Sequence, residues 1–155
     1  MKKTHLFIAM FFMAFAVSAQ DYVDLGLPSG TLWKTVNEEG LFSCNKAFEK
    51  YGTQMPTKEQ WDELIKNCEW TWEGNGYKVT SADGVYIFLP AEGSLSADLF
   101  GEINKTQGVE GNYWSCTQGP SKGNDAWYLY FYSTSVDMKY CQQTFQHSVR
   151  LVKKQ

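Results

Sequence analysis

Three segments in the last third of the chain decide the fold: Gly111-Asn112-Tyr113-Trp114-Ser115-Cys116, Ala126-Trp127-Tyr128-Leu129-Tyr130-Phe131-Tyr132 and Ser148-Val149-Arg150-Leu151-Val152. Each is rich in aromatic or β-branched residues, which favour strands, and turn-forming residues separate them. In the second segment large apolar side chains alternate with tyrosines, so both faces of the strand are apolar or aromatic. This pattern is typical of a central strand. We therefore predict that the three segments are central antiparallel strands of one small domain.

Two helices are predicted before this region. The clearer one starts at Thr57, because Gln60 follows three residues later in the capping-box pattern, and it should run from Lys58 to about Asn67. A shorter helix is predicted from Ser43 to Tyr51, ending at a glycine. The helix that starts at Lys58 has apolar residues at the spacing of one helix face, and this face should pack on the sheet. Its residues are Trp61, Leu64, Ile65 and Cys68.

A three-stranded meander is predicted after the helices, over Trp70–Trp72, Tyr77–Thr80 and Val85–Leu89. The segments are joined by Asn-Gly and Asp-Gly dipeptides, which tolerate the positive φ of hairpin turns. A strand is also predicted at Thr31–Val36, after a tight turn. Helices combined with mainly antiparallel strands predict the α+β class.

The segment from Pro90 to Glu110 has no sustained hydrophobic period and is long for a connection within a domain. Long irregular loops often carry binding residues. We therefore expect a ligand to contact this loop and the turns around Asn112 and Asn124.

Residues 1–19 have the composition of a secretory signal peptide. Lys2 and Lys3 precede an apolar run from Leu6 to Val17, and small residues follow up to Ala19. The run is about a dozen residues, shorter than the roughly 20 that cross a bilayer, so a retained membrane anchor is the less favoured alternative. We predict an exported protein that is secreted or at the cell surface, and the periplasm is the alternative location. Residues 20–155 should form a single domain without an integral membrane segment.

The charge of the chain argues against a nucleic-acid partner. Its formal net charge is −3, and a phosphate-binding face needs clustered lysine or arginine. Lys153 and Lys154, at the end of the chain, form the one close basic pair after the predicted signal peptide.

Four cysteines follow the predicted signal peptide, and export would place them where disulfides persist. Four thiols allow three pairings. Chain order favours Cys44 with Cys68 and Cys116 with Cys141, each closing a loop of about 25 residues and stabilising the fold by about 3 kcal/mol. Free buried thiols are the alternative. No C-x-x-C pair is present, so a structural zinc site is not indicated.

Six motifs occur in order along the chain: Tyr22–Trp33, Pro56–Trp61, Cys68–Trp72, Ile87–Gly93, Gly111–Ser115 and Ser148–Val152. Together they resemble the Fibrobacter succinogenes major paralogous domain family, which is common in exported proteins of gut Bacteroidota. The resemblance implies a C-type-lectin-like fold, with two helices packed on a mainly antiparallel, twisted sheet and a long loop region. It implies no activity. The chain departs from the family at Val36, Cys116 and Leu151, where members usually have cysteine, serine and proline.

No catalytic constellation is evident in the sequence. His147, the one histidine after the predicted signal peptide, has no acid fixed near it and is expected to be a hydrogen-bonded surface residue. Cys116 and Cys141 are interpreted as structural and not as a redox-active pair. The calcium-binding triplets of true C-type lectins are absent, and no dense cluster of Asp and Asn offers the six to eight oxygens that calcium prefers. We expect no metal and no cofactor.

The predicted function is a non-catalytic binding module that recognises a protein or glycan ligand on a cell surface. The chain has six tryptophans and nine tyrosines, and such rings commonly grip ligands; the alternative is that each ring packs inside. A small secreted effector or antimicrobial toxin is the alternative function, and a minor envelope enzyme is a third. The predicted ligand-binding residues are Glu92, Asn112, Trp114, Asn124, Asp125 and Trp127.

Overall fold

Residues 21–96, 106–121 and 123–155 are described by a computed structural model. The predicted signal peptide and the middle of the predicted binding loop lie outside these residues. The helices are α1 (Cys44–Tyr51) and α2 (Lys58–Asn67). The strands are β1 (Tyr22–Asp24), β2 (Thr31–Lys34), β3 (Phe42–Ser43), β4 (Glu69–Trp72), β5 (Gly76–Thr80), β6 (Tyr86–Pro90), β7 (Glu110–Gln118), β8 (Asp125–Tyr132), β9 (Ser135–Gln142), β10 (Gln146–His147) and β11 (Val152–Lys154).

The described strands form four small sheets, in the orders β1-β2-β11, β10-β3, β4-β5-β6 and β7-β8-β9. Every pairing between neighbouring strands is antiparallel. Two short helices combined with mainly antiparallel strands place the protein in the α+β class, as the sequence predicts. In the part of the chain that the structure describes, neither helix has the length and apolar character needed to cross a membrane.

Strand β8 is central in the longest sheet, as predicted, with β7 on one side and β9 on the other. Leu129 and Phe131 point to one face of the sheet and are fully buried. The tyrosines alternate with them on the other face, which is only partly covered, since Tyr130 is half-buried and Tyr132 is exposed. The prediction that both faces of β8 are covered therefore holds for one face only.

The segment from Ser148 to Val152 was predicted to be the third central strand of this sheet. This prediction is wrong, because the segment does not belong to the sheet β7-β8-β9. Ser148 is joined to Tyr113 by a single parallel bridge, whereas Val152 begins β11 and pairs with β2. Between these ends the carbonyls of Val149 and Leu151 accept hydrogen bonds from residues at and beyond the end of β2. The segment runs from one sheet to the other and is buried on both sides. Its mostly apolar composition therefore resembles that of a central strand.

Helix α2 begins and ends at the predicted residues. The Thr57 hydroxyl accepts the Gln60 backbone N–H, and the Gln60 side chain accepts the Thr57 backbone N–H at 2.9 Å. The predicted apolar stripe faces the core, with Trp61 and Leu64 fully buried. The Gln60 amide also donates to the Thr31 hydroxyl at 2.9 Å, which connects the start of the helix to β2.

Helix α1 and the meander also agree with the sequence. Helix α1 ends at Gly52, whose φ of 52° is disfavoured for residues with a side chain. Ser43 precedes the helix as predicted, but its side chain makes no capping hydrogen bond. The meander is the sheet β4-β5-β6, and the predicted first strand is β2, which ends at Lys34, two residues early.

Buried side chains form two clusters on the described residues. The larger lies among α2, the meander and one face of β8, and the smaller lies among α1, Trp114 and the segment before β11. The smaller cluster consists of Cys44, Ala47, Met55, Trp114, Ala126, Val149 and Leu151.

Candidate functional site

The six predicted ligand-binding residues do not form one site. Glu92 lines a cavity of about 460 Å³ near the end of β2. Asn124 and Asp125 line a different cavity, of about 380 Å³, at the start of β8. The remaining residues are the buried Asn112 and Trp114 on β7 and the half-buried Trp127 on β8.

Trp114 cannot contact a ligand in this structure, which corrects the prediction for that residue. Its exposed fraction is 0%, and its indole N–H donates a 2.7 Å hydrogen bond to the Phe42 carbonyl. Asn112 is also buried, and its amide donates to the Glu110 carboxylate at 3.3 Å. Both residues are buried on β7, and for the Trp114 ring this is the alternative of interior packing.

Glu92 belongs to a polar network that stabilises the wall of its cavity. Its Oε2 atom accepts hydrogen bonds from the Asn37 amide at 3.0 Å and from the Ser148 hydroxyl at 2.7 Å. The Asn37 amide also donates to the Tyr113 hydroxyl, and Asn37 Oδ1 accepts from the buried Arg150 guanidinium at 2.8 Å. Burial raises the pKa of Tyr113 above its ordinary value, so its hydroxyl stays protonated. The network is structural, and Arg150 is a member that the sequence did not indicate.

The cavity at the start of β8, which we name the β8 cleft, combines polar groups with an exposed ring. Its lining residues are Ser121, Asn124, Asp125, Tyr140, Cys141 and Gln142. The pairing of β8 with β9 creates it, because Asp125 lies opposite Gln142 and Trp127 lies opposite Tyr140.

Tyr140 supplies the exposed aromatic surface of the β8 cleft. Its exposed fraction is 52%, and its ring centroid lies 5.2 Å from that of Trp127 in an edge-to-face arrangement. The Lys58 ammonium lies 4.9 Å from the centroid of the Trp127 ring, which holds Trp127 between the start of α2 and Tyr140. Trp127 thus supports the ring that solvent reaches.

Asp125 supplies a carboxylate at the buried end of the cleft. Only 6% of this residue is exposed, and its Oδ1 atom has no hydrogen-bond partner among the described residues. A Cβ atom on Gly119 would lie 2.9 Å from Asp125 Cγ, so a glycine is needed beside this carboxylate. A buried polar atom without a partner costs free energy.

The structure does not contain the predicted disulfides, since all four cysteines are free thiols. Cys116 and Cys141 lie on β7 and β9 with β8 between them. Two strand spacings are roughly 9 to 10 Å, whereas the Cα atoms of a disulfide lie within about 7 Å. Cys68 packs against the larger core cluster and Cys44 belongs to the smaller one. Neither predicted pairing follows from this arrangement.

Cys141 and His147 have the geometry of a nucleophile and a base, which the sequence did not indicate. Cys141 Sγ lies 3.3 Å from His147 Nε2. His147 is buried between the rings of Trp114 and Tyr128 and is not the surface residue that was expected. Burial raises the pKa of Cys141 to about 12 and lowers the pKa of His147 to about 3. Both groups are therefore neutral at pH 7, unlike an activated thiolate with its protonated base.

Tyr140 and Gln142 were not predicted as site residues, although the length of one turn indicates their place beside β8. Only Ser133 and Thr134 separate β8 from β9, and a two-residue turn fixes the register of a hairpin. Counting back from that turn places Tyr140 opposite Trp127.

Residues 21–96, 106–121 and 123–155 contain no group of three or more His, Cys, Asp or Glu side chains that could hold a metal ion.

Comparison with known proteins gives one family. No curated protein and no solved structure matches the chain. The model of a family described as a domain of unknown function, DUF8237, matches residues 65–152. These residues run from within α2 to the first residue of β11 and include the whole β8 cleft. Because the match covers more than half of the chain, the protein belongs to this DUF8237 family of domains of unknown function.

Proposed function

We propose that this protein is an exported, non-catalytic binding module that recognises a glycan at the β8 cleft. The observation that carries the proposal is the exposed ring of Tyr140 beside the incompletely bonded carboxylate of Asp125. Ligand sites commonly combine an aromatic surface with a few placed polar groups. Export rests on the signal-peptide composition of residues 1–19.

The chemistry of the cleft suits a sugar. A sugar ring has apolar C–H faces that pack on an aromatic side chain, and hydroxyl groups that both donate and accept hydrogen bonds. Tyr140 offers the ring, and Asn124 and Gln142 offer amides that donate and accept. Asp125 offers a carboxylate as an acceptor group, and its Oδ1 atom is buried without a partner among the described residues. A volume of about 380 Å³ lies at the small end of the range for ligand sites.

The same lining argues for binding without hydrolysis. Glycoside hydrolysis uses two carboxyl groups about 5 to 9 Å apart across the bond that breaks. Asp125 is the single carboxylate among the described lining residues of the cleft. The thiol of Cys141 is kept protonated at pH 7 by its raised pKa, so it is a poor nucleophile.

We also propose that the domain has the C-type-lectin-like fold and is related to the Fibrobacter succinogenes major paralogous domain family. The six motifs that carry this resemblance extend from β1 to β11. One of them begins α2 with its capping box, and another provides the buried Arg150.

A glycan array probed with the purified protein tests the proposed function. We expect binding to a restricted set of sugars, a rise in Tm with those sugars, and no release of reducing ends. Tyr140→Ala should weaken binding about tenfold or more, which corresponds to the roughly 1.4 kcal/mol of one good aromatic contact. Tyr86→Ala is the matched control, because Tyr86 is equally exposed, at 54%, but lies on β6.

Three outcomes would contradict the proposal. The first is glycan binding that Tyr140→Ala and Asp125→Asn both leave unchanged, which would place the site elsewhere. The second is an array without hits alongside specific capture of a surface protein, which would replace the glycan by a protein ligand. The third is inhibition of neighbouring bacteria by the purified protein without glycan binding, which would favour the secreted effector.

A further inference from the structure

Two of the four cysteines share one cavity wall. Cys44 begins α1 and Cys116 lies on β7, and both line a cavity of about 230 Å³. Helix α1 packs against β7. Each backbone is held in place, because Cys44 N–H donates to the Gln143 carbonyl and Cys116 N–H donates to the Pro56 carbonyl, both at 2.9 Å. The two thiols therefore face a common space from two fixed elements.

The other two cysteines are placed differently. Cys68 follows the last residue of α2 and packs against the larger core cluster. Cys141 packs against the same small cluster as Cys44, and the charge of a Cys44 thiolate would raise its pKa. However, Cys141 lines the β8 cleft and not the cavity of Cys44 and Cys116, β8 separates it from Cys116, and its sulfur contacts the imidazole of His147. The cavity that contains Cys44 and Cys116 is open to solvent near Phe48, whose exposed fraction is 50%. A small disulfide reagent can therefore reach this pair.

We propose that Cys44 and Cys116 are a disulfide-forming pair, and that Cys68 and Cys141 stay reduced when this bond forms. The oxidant is a disulfide of a small thiol or of an exported oxidoreductase. Cys116, the more exposed of the two, loses its proton to solvent, attacks the oxidant and forms a mixed disulfide, releasing one thiolate. Cys44 then loses its proton and attacks Cys116 Sγ, which forms the Cys44–Cys116 bond and releases the second thiolate. The oxidant gains two electrons and the protein loses two.

The rate of this exchange should depend on pH. Burial raises the pKa of Cys44 to about 11, and burial also raises the pKa of Cys116. Because the thiolate is the attacking species, exchange should be slow at pH 7. Its rate should rise about tenfold for each unit of increase in pH until the pH reaches these pKa values.

The bond would constrain the unfolded chain. It closes a loop of about 70 residues, and long loops lose more entropy on closure than short ones. It would also join α1 to β7 near the β8 cleft, because Ala126 and Gln143 line the thiol cavity while their neighbours Asp125 and Gln142 line the cleft. Formation of this bond does not require glycan binding.

The test is to incubate the folded protein with oxidised glutathione at pH 8.5, block remaining thiols with a maleimide, and map the peptides without reduction. We expect one linked pair of peptides, containing Cys44 and Cys116, with Cys68 and Cys141 carrying the blocking group. The oxidised protein should melt several degrees above the dithiothreitol-treated protein. This difference should vanish in Cys44→Ser and Cys116→Ser and persist in the controls Cys68→Ser and Cys141→Ser. A linked pair that contains Cys68 or Cys141, or four blocked thiols after oxidation, would overturn the proposal.

Discussion

Arg150 Nη1 donates a 2.8 Å hydrogen bond to the backbone carbonyl of Lys34, which joins the segment before β11 to the end of β2. The same guanidinium donates to the Phe88 carbonyl at 2.6 Å and to Asn37 Oδ1 at 2.8 Å. Only 1% of Arg150 is exposed. Because a buried guanidinium is stable only when its donors are bonded, one side chain fixes β2, β6 and the loop after β2 relative to one another.

Replacing Arg150 with methionine should therefore lower the free energy of unfolding by about 3 kcal/mol or more. Methionine keeps much of the volume but leaves buried carbonyl groups without donors. Urea denaturation followed by tryptophan fluorescence measures the change. Lys154→Met, at an exposed position on β11, is the control and should change stability by less than about 0.5 kcal/mol. Equal losses for the two variants would show that the hydrogen bonds of Arg150 are not what stabilises this region.

The capping box of α2 gives a second prediction. Thr57→Ala should cost about 1 kcal/mol, because the backbone N–H of Gln60 loses its acceptor. The shift of the urea midpoint at constant slope measures this cost. Thr53→Ala is the control, since Thr53 is exposed in the short turn before the helix. Similar midpoints for Thr57→Ala and the unmodified protein would mean that the cap contributes little.

Local signals in the sequence predicted the helices and the meander well. The bounds of α2 were predicted to the residue because the capping box and the apolar stripe lie within the helix itself. The Asn-Gly and Asp-Gly turns of the meander are local in the same sense. In each case the residues that determine the structure are close together in the chain.

Long-range features could not be predicted in this way. The segment from Ser148 to Val152 is apolar because it is buried on both sides, and that composition does not reveal which strands cover it. The same limit applies to Trp114, whose buried ring has the same sequence signature as a ring at a surface. Asn124 and Asp125 were predicted at the start of β8, but Tyr140 enters their cleft only through the register of β8 with β9.

The buried His147 predicts a loss of stability in acid. Its pKa is about 3 in the folded protein against 6.5 for an unburied histidine, because burial disfavours the imidazolium ion. Between these values the unfolded chain binds a proton that the folded protein does not bind. The free energy of unfolding is therefore at its full value above pH 6.5 and should fall as the pH drops towards 3, with a slope approaching about 1.4 kcal/mol per pH unit.

His147→Phe tests this origin of the acid sensitivity. Phenylalanine can keep the contacts with the rings of Trp114 and Tyr128 but does not titrate. The other titratable groups beside the ring are Cys141 and Tyr128, and burial raises the pKa of both, so they stay neutral across this range. Urea denaturation at several pH values between 7 and 5 should give a flatter profile for the variant. A profile as steep as that of the unmodified protein would assign the acid sensitivity to other groups.

The contact between Gly111 on β7 and Phe131 on β8 gives the last prediction. A Cβ atom on Gly111 would lie 2.0 Å from Phe131 Cζ, and Phe131 is fully buried, so the ring cannot move aside without disturbing the core. Gly111→Ala should therefore destabilise the protein by about 3 kcal/mol. In a Phe131→Leu background, where the clashing ring is absent, the same substitution should cost much less. The double-mutant cycle, measured by urea denaturation, should give a coupling energy of at least about 1 kcal/mol. Additive effects would show that the contact with the Phe131 ring is not what requires a glycine at position 111.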